Sequence, residues 1–95
     1  MAYRLLFAAT ARTDIISSFN WYEERREELG GEFLEALRES LRIIESSPQR
    51  FPIMLEDYRK LNLKKFPFKI IYSLDEDTII VWAVYHHSRH PDKWK

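Results

Sequence analysis

Apolar and polar positions alternate from Tyr3 to Ala9, with Tyr3, Leu5 and Phe7 on one side, so the chain opens with a strand. The period then lengthens. Ile15, Phe19 and Tyr22 recur at helical spacing while Glu23 to Glu28 turn toward solvent, and Thr10 and Thr13 are candidate caps. Gly30-Gly31 is expected to end this helix. A second amphipathic helix is expected from about Glu32 to Glu45, burying Phe33, Leu34, Leu37, Leu41 and Ile44, before Ser47-Pro48 stops it. So short a break makes the pair an antiparallel helical hairpin.

After the Pro-bounded segment Ser46 to Pro52 the period becomes two. A strand over Arg59 to Lys65 would turn Leu61 and Leu63 one way and Lys60, Asn62 and Lys64 the other. Pro67 lacks an N–H, so this strand is expected at a sheet edge or ending in a bulge. Phe68, Ile70, Tyr72 and Leu74 share a face, Asp75-Glu76-Asp77 reads as a hairpin turn, and Thr78 to Tyr85, apolar on both faces, is the best-buried strand. The tail from Ser88 to Lys95 is polar. The order β-α-α-β-β-β predicts an α+β fold in two layers, a mainly antiparallel sheet with the helical hairpin on one face. No repeat or linker divides residues 1–95, which are expected to form a single domain.

Composition supports a packed core. A chain of 95 residues has a folded surface of roughly 5,800 Å² against roughly 16,700 Å² unfolded, so about two-thirds of its surface can be buried. Hydrophobic residues at 45% and aromatics at 15% exclude bulk disorder. The absence of cysteine excludes disulfides and thiolate metal sites. No apolar run approaches 18 residues, and the opening MAYRLLFAATAR lacks the apolar core of a signal peptide, so the expected location is cytoplasmic, with no membrane partner.

Charge changes the picture through its distribution. Lys and Arg total fifteen and Asp and Glu fifteen, which predicts no partner by itself. Yet Asp14 to Ser47 holds nine acids and four bases, whereas Arg59 to Tyr72 holds five bases and no acid. The acidic helices need only be a solvated surface. The basic block can be read as lysines guarding an exposed edge, or as a surface for phosphate or an acidic protein segment.

Several clusters, in order, resemble one family: Trp21-Tyr22-Glu23-Glu24, Leu29-Gly30, Phe33-Leu34, Pro48-Gln49-Arg50-Phe51-Pro52, Lys65-Phe66-Pro67-Phe68-Lys69-Ile70-Ile71-Tyr72 and Ala83-Val84-Tyr85-His86, followed by Arg89, Pro91 and Trp94. Their order and spacing resemble the RelE/ParE toxins of bacterial type II toxin–antitoxin modules, most nearly the ParE-like, plasmid-stabilisation branch. The resemblance implies a toxin neutralised by a cognate antitoxin. It implies one of two targets: RelE-type members cut mRNA on the ribosome without a metal, and ParE-type members poison DNA gyrase.

Metal-free RNA cleavage needs a base for the 2′-OH, cations for the crowded phosphorane and an acid for the leaving oxygen. By resemblance, the basic cluster of RelE-type members falls on Lys60, Asn62 and Lys69, with a later arginine at Arg89. Asn62 is neutral where a lysine is expected, and the C-terminal tyrosine falls near Trp94 or Lys95. These departures favour a gyrase-directed toxin that is not an enzyme. The alternative is a ribosome-dependent endoribonuclease in which Lys60, Lys69 and Arg89 hold phosphate and His86 moves protons. Target or partner binding is assigned to Lys60, Lys64, Lys69, Arg89 and Trp94, the last because an aromatic in a polar tail has no evident core to enter. The antitoxin is expected in an apolar groove between hairpin and sheet, together with the basic strand face. His86, His87 and His90 could suggest a metal, but His86 and His87 are adjacent on a strand and point to opposite faces. No metal and no cofactor is expected.

Overall fold

The computed structural model describes residues 3–88. A short strand β1 (Arg4–Phe7) leads into two helices, α1 (Ala9–Arg25) and α2 (Leu29–Ser46). Four strands follow: β2 (Ile53–Leu55), β3 (Tyr58–Asn62), β4 (Phe68–Asp75) and β5 (Thr78–His86). They form one sheet in the order β1-β5-β4-β3-β2. β1 runs parallel to β5 and every other pair is antiparallel.

The helices cover one face of the sheet. Ala11 of α1 and Phe33, Leu37, Leu41 and Ile44 of α2 pack with Phe68, Ile70 and Tyr72 of β4 and Ile79, Val81 and Val84 of β5. The helical and strand periods therefore meet in one core, as the α+β reading requires. The outer face has a smaller cluster, in which Met54, Tyr58 and Trp82 pack around Ile71, Ala83 and Tyr85.

The helical break differs from expectation. α1 ends at Arg25, and Gly30-Gly31 lies inside the first turn of α2 instead of between the helices. The reason is Glu23. Its carboxylate accepts the backbone N–H of Glu28 at 3.0 Å and of Gly30 at 2.9 Å, capping α2 from the neighbouring helix. Glu28 takes the left-handed conformation, φ 72°, that makes the turn. A Cβ on Gly30 would sit 2.8 Å from both Glu23 Oε1 and the Phe19 ring, so close approach requires glycine there. Neither threonine caps α1. Its N-cap is Ala8, and Thr10 instead donates to the Trp82 carbonyl at 2.8 Å.

The sheet has five strands where four were expected, because β2 is three residues long and too short to show a period. It takes the edge position expected for β3, which stops at Asn62 before Pro67 is reached. Pro67 sits in the β3–β4 connection, where its carbonyl accepts the His87 N–H at 2.8 Å. The bulge lies elsewhere: Ile71 pairs with Ala83 and Tyr72 with Val81, leaving Trp82 as the extra residue on β5. Beyond the end of β1, α1 takes over as the neighbour of β5. Asp14 accepts the Val84 N–H at 3.1 Å and Thr10 donates to the Trp82 carbonyl, so that edge is not left open.

Candidate target-binding faces

The register of β3, β4 and β5 decides which candidate residues meet. Lys60 lies opposite Ile71, Asn62 opposite Lys69, and Lys69 opposite Tyr85. All five share the outer face with Ala83, because directly opposed residues project to the same side. The Lys69 ammonium stands 5.6 Å from the centre of the Tyr85 ring, a cation over a buried aromatic. Tyr58 and Trp82 meet edge to face at 6.1 Å. Trp82 donates to the Ser73 hydroxyl at 2.8 Å, satisfying its one polar atom. Among the described residues no helix lies over this face, and Met54, Tyr58, Trp82 and the two lysines surround the fully buried Ile71, Ala83 and Tyr85. At the β2 edge, Ile53 and Leu55 are about half exposed.

His86 is not part of that face. It lies opposite Phe68, whose side chain is in the core under the helices, and the two rings meet at 5.4 Å. The sheet itself therefore separates the imidazole from Lys60 and Lys69. Lys64 also leaves the basic face: it follows the end of β3, and its ammonium lies 3.9 Å from Glu39 of α2. That contact is exposed and worth little. Arg89, His90 and Trp94 lie outside the described residues. His87 is exposed. Among the described residues, no group of three or more His, Asp or Glu side chains could hold a metal, and no helix is long and apolar enough to cross a membrane.

A second candidate feature is a pocket of about 360 Å³ between α1 and the end of β5. Trp21, Tyr22, Phe68 and His86 supply ring walls, and Ser17, Ser18 and Ser88 supply hydroxyls. Trp21 is half exposed, with the Arg25 guanidinium 3.4 Å from its ring centre. Burial raises the Tyr22 pKa above its ordinary value. The pocket's described lining comes from α1, β4 and the end of β5, with no residue of α2 and none of the lysines.

Sequence reasoning missed Met54, Tyr58 and Trp82 as parts of the outer face. Tyr58 and Met54 stood in a stretch without visible period, and Trp82 reaches that side only through the bulge. A signal was present in β5, whose second face is as apolar as its first.

The family described as the ParE toxin of the type II toxin–antitoxin system parDE matches residues 5–91. The chain belongs to the ParE toxin family. The fold agrees with solved toxins of the ParE and RelE kinds. A chain of the chromosomal ParDE system of P. aeruginosa superposes with a TM-score of 0.79 at 15% identity, over 90% of this chain and 96% of that one. The isolated E. coli RelE toxin gives 0.67 at 22% identity, over 96% and 90%. A chain of the intact E. coli RelBE toxin–antitoxin complex gives 0.68 at 22% identity, over 93% and 100%. At such identities these likenesses establish the fold, and sites have to be argued from residues. No curated protein sequence matches.

Proposed function

We propose that this ParE-family chain inhibits growth by binding a protein target, DNA gyrase, and that a cognate antitoxin neutralises it by covering the outer face of the sheet. The observation that carries the first part is the separation of His86 from Lys60 and Lys69 by the sheet. A nuclease of the RelE kind needs phosphate-holding cations and a proton-transfer group around one scissile phosphate. Here the cations and the imidazole face opposite ways, and Tyr85, the titratable side chain beside Lys69, is fully buried. Loss of a general acid or base typically costs about 10² to 10⁴ in rate. Binding needs no such convergence.

The outer face suits an antitoxin segment that combines apolar anchors with acidic residues. The partly exposed Met54, Tyr58 and Trp82 offer apolar contact surface, and Lys60 and Lys69 the complementary charge. A segment disordered alone would gain its structure on this surface. Co-expression with the product of a neighbouring short reading frame tests this. A stable complex is expected, and Lys60→Glu with Lys69→Glu should weaken it by at least tenfold. A complex unaffected by the double reversal would place the antitoxin elsewhere. Position-specific mRNA cuts in the ribosomal A site, abolished by His86→Ala in a folded protein, would replace the gyrase reading with the nuclease one.

A further inference from the structure

α1 stands in for a strand beside the second half of β5. Thr10 donates to the Trp82 carbonyl and Asp14 accepts the Val84 N–H, so two side chains four residues apart on one side of the helix answer successive groups of an open strand edge. Ser18 is the next position in that series, and His86 is the next residue of β5 to turn its main chain this way. The alternation is fixed from both sides: the Val84 N–H points to α1, and the His87 N–H points away from it, to the Pro67 carbonyl. At this rung helix and strand have parted. The main-chain N–H and C=O of His86, and the hydroxyl of Ser18 on a residue only 8% exposed, bond to no group among the described residues. The pocket of about 360 Å³ opens there, with both residues in its lining. We propose that this opening is a docking site for an extended peptide segment of a partner protein, which bonds to the main chain of His86 and lays an uncharged apolar side chain in the pocket.

The chemistry of the lining selects that occupant. A peptide residue opposite His86 can give its N–H to the His86 carbonyl and accept the His86 N–H, as an added strand does, and its side chain then projects to the same side as the His86 ring. That side holds a continuous aromatic wall. Trp21 meets Tyr22 at 5.1 Å, Tyr22 meets Phe68 at 6.0 Å, and Phe68 meets His86 at 5.4 Å. The half-exposed Trp21 is held by Arg25, which stacks 3.4 Å from its ring centre and donates to its carbonyl at 3.2 Å, so the wall is formed before a ligand arrives. No Asp, Glu, Lys or Arg is among the described lining residues, and a charged side chain entering here would lose water without gaining a partner. The β2 edge, by contrast, is three residues long, follows Pro52 and carries a register irregularity, all of which discourage pairing. The site lies on the helix side of the sheet, apart from the outer face, and does not depend on the gyrase reading.

NMR of the ¹⁵N-labelled protein tests this with a blocked pentapeptide, acetyl-Thr-Val-Leu-Val-Thr-amide, added in large excess. Without peptide, the His86 amide should exchange with solvent faster than those of Val84 and His87, which have partners. Added peptide should shift the His86 amide and the Trp21 indole and slow the exchange of His86. Lysine or aspartate in place of the central leucine should weaken binding about tenfold or more. N-methylation of that leucine, which removes the N–H given to His86, should do the same. Trp21→Ala takes away one wall from an exposed position and Ser17→Arg obstructs the mouth from another, and each should weaken binding comparably while the amide spectrum of the core strands stays in place. A peptide that leaves His86 unmoved, that binds equally well with a charged central residue, or that shifts the Trp82 indole of the outer face instead would overturn the proposal. So would a His86 amide that is already slow to exchange without peptide, and protection that grows with protein concentration would give the opening to a second copy of this chain instead.

Discussion

Tyr72 shows how a single residue serves two layers of the molecule. Its ring lies in the core under the helices, and its hydroxyl donates to the Pro48 carbonyl at 2.6 Å, anchoring the loop that follows α2. Arg59, opposite it on β3, donates to the Gln49 and Phe51 carbonyls and holds the same loop. Burial pushes the Tyr72 pKa from 10.0 up to about 12, with the Arg59 cation pulling the other way. An acid whose folded pKa lies above its unfolded value favours the folded state fully below the unfolded value, and that advantage is lost as pH rises from about 10 toward 12. Urea melts should therefore show stability falling over that range, and the Tyr72→Phe variant should fall less steeply. At neutral pH the same variant should lose about 1 to 3 kcal/mol, because the buried Pro48 carbonyl is left without its donor. An unchanged alkaline slope would remove Tyr72 from the account. Period two placed Tyr72 inside, but nothing local in the sequence couples it to a proline 24 positions earlier.

Among elements, the helical hairpin separates what periodicity can and cannot reveal. Spacing finds most of the buried side of α2: Phe33, Leu37, Leu41 and Ile44 are buried as expected, whereas Leu34 is only partly buried and Ser40 joins the buried side. The junction did not follow, because Gly30-Gly31 looks like a break and is a helical turn capped by a carboxylate from seven residues before Gly30. The two glycines should accordingly respond in opposite ways. Gly30→Ala drives a methyl against Glu23 and the Phe19 ring, and thermal melts should show a loss of about 1 to 3 kcal/mol. Gly31→Ala meets nothing within 4 Å and should gain up to about 1 kcal/mol through helix propensity. Equal effects at the two positions would contradict the capping geometry. The strands divide similarly: β4 was legible from its alternation and β5 from a run apolar on both faces, β2 was too short, and the bulge at Trp82 is a property of pairing.

At the scale of the whole molecule, the charge asymmetry of the sequence becomes a division of labour between layers. The acidic helices cover the core, while Lys60 and Lys69 stand on the opposite face of the sheet, over which no helix lies among the described residues. The lysines were legible as a block, but not that Lys64 departs toward Glu39 or that His86 faces the opposite way, since both depend on where β3 ends and how β4 pairs with β5. Reversing the charge at Lys60 and Lys69 should cost about 1 kcal/mol, most of it from the lost contact of Lys69 with the Tyr85 ring, and leave the protein folded, as urea melts of Lys60→Glu/Lys69→Glu would report. A protein that binds gyrase and does not cut RNA, as proposed, should act in a system of purified gyrase and DNA alone. Purified protein should be mixed with purified gyrase and supercoiled plasmid, and the DNA examined for breaks covalently linked to gyrase. The expected result is that such breaks accumulate with added toxin and disappear when antitoxin is present. Plasmid that is processed normally at toxin saturation, by gyrase that a known poison still traps on DNA, would contradict it.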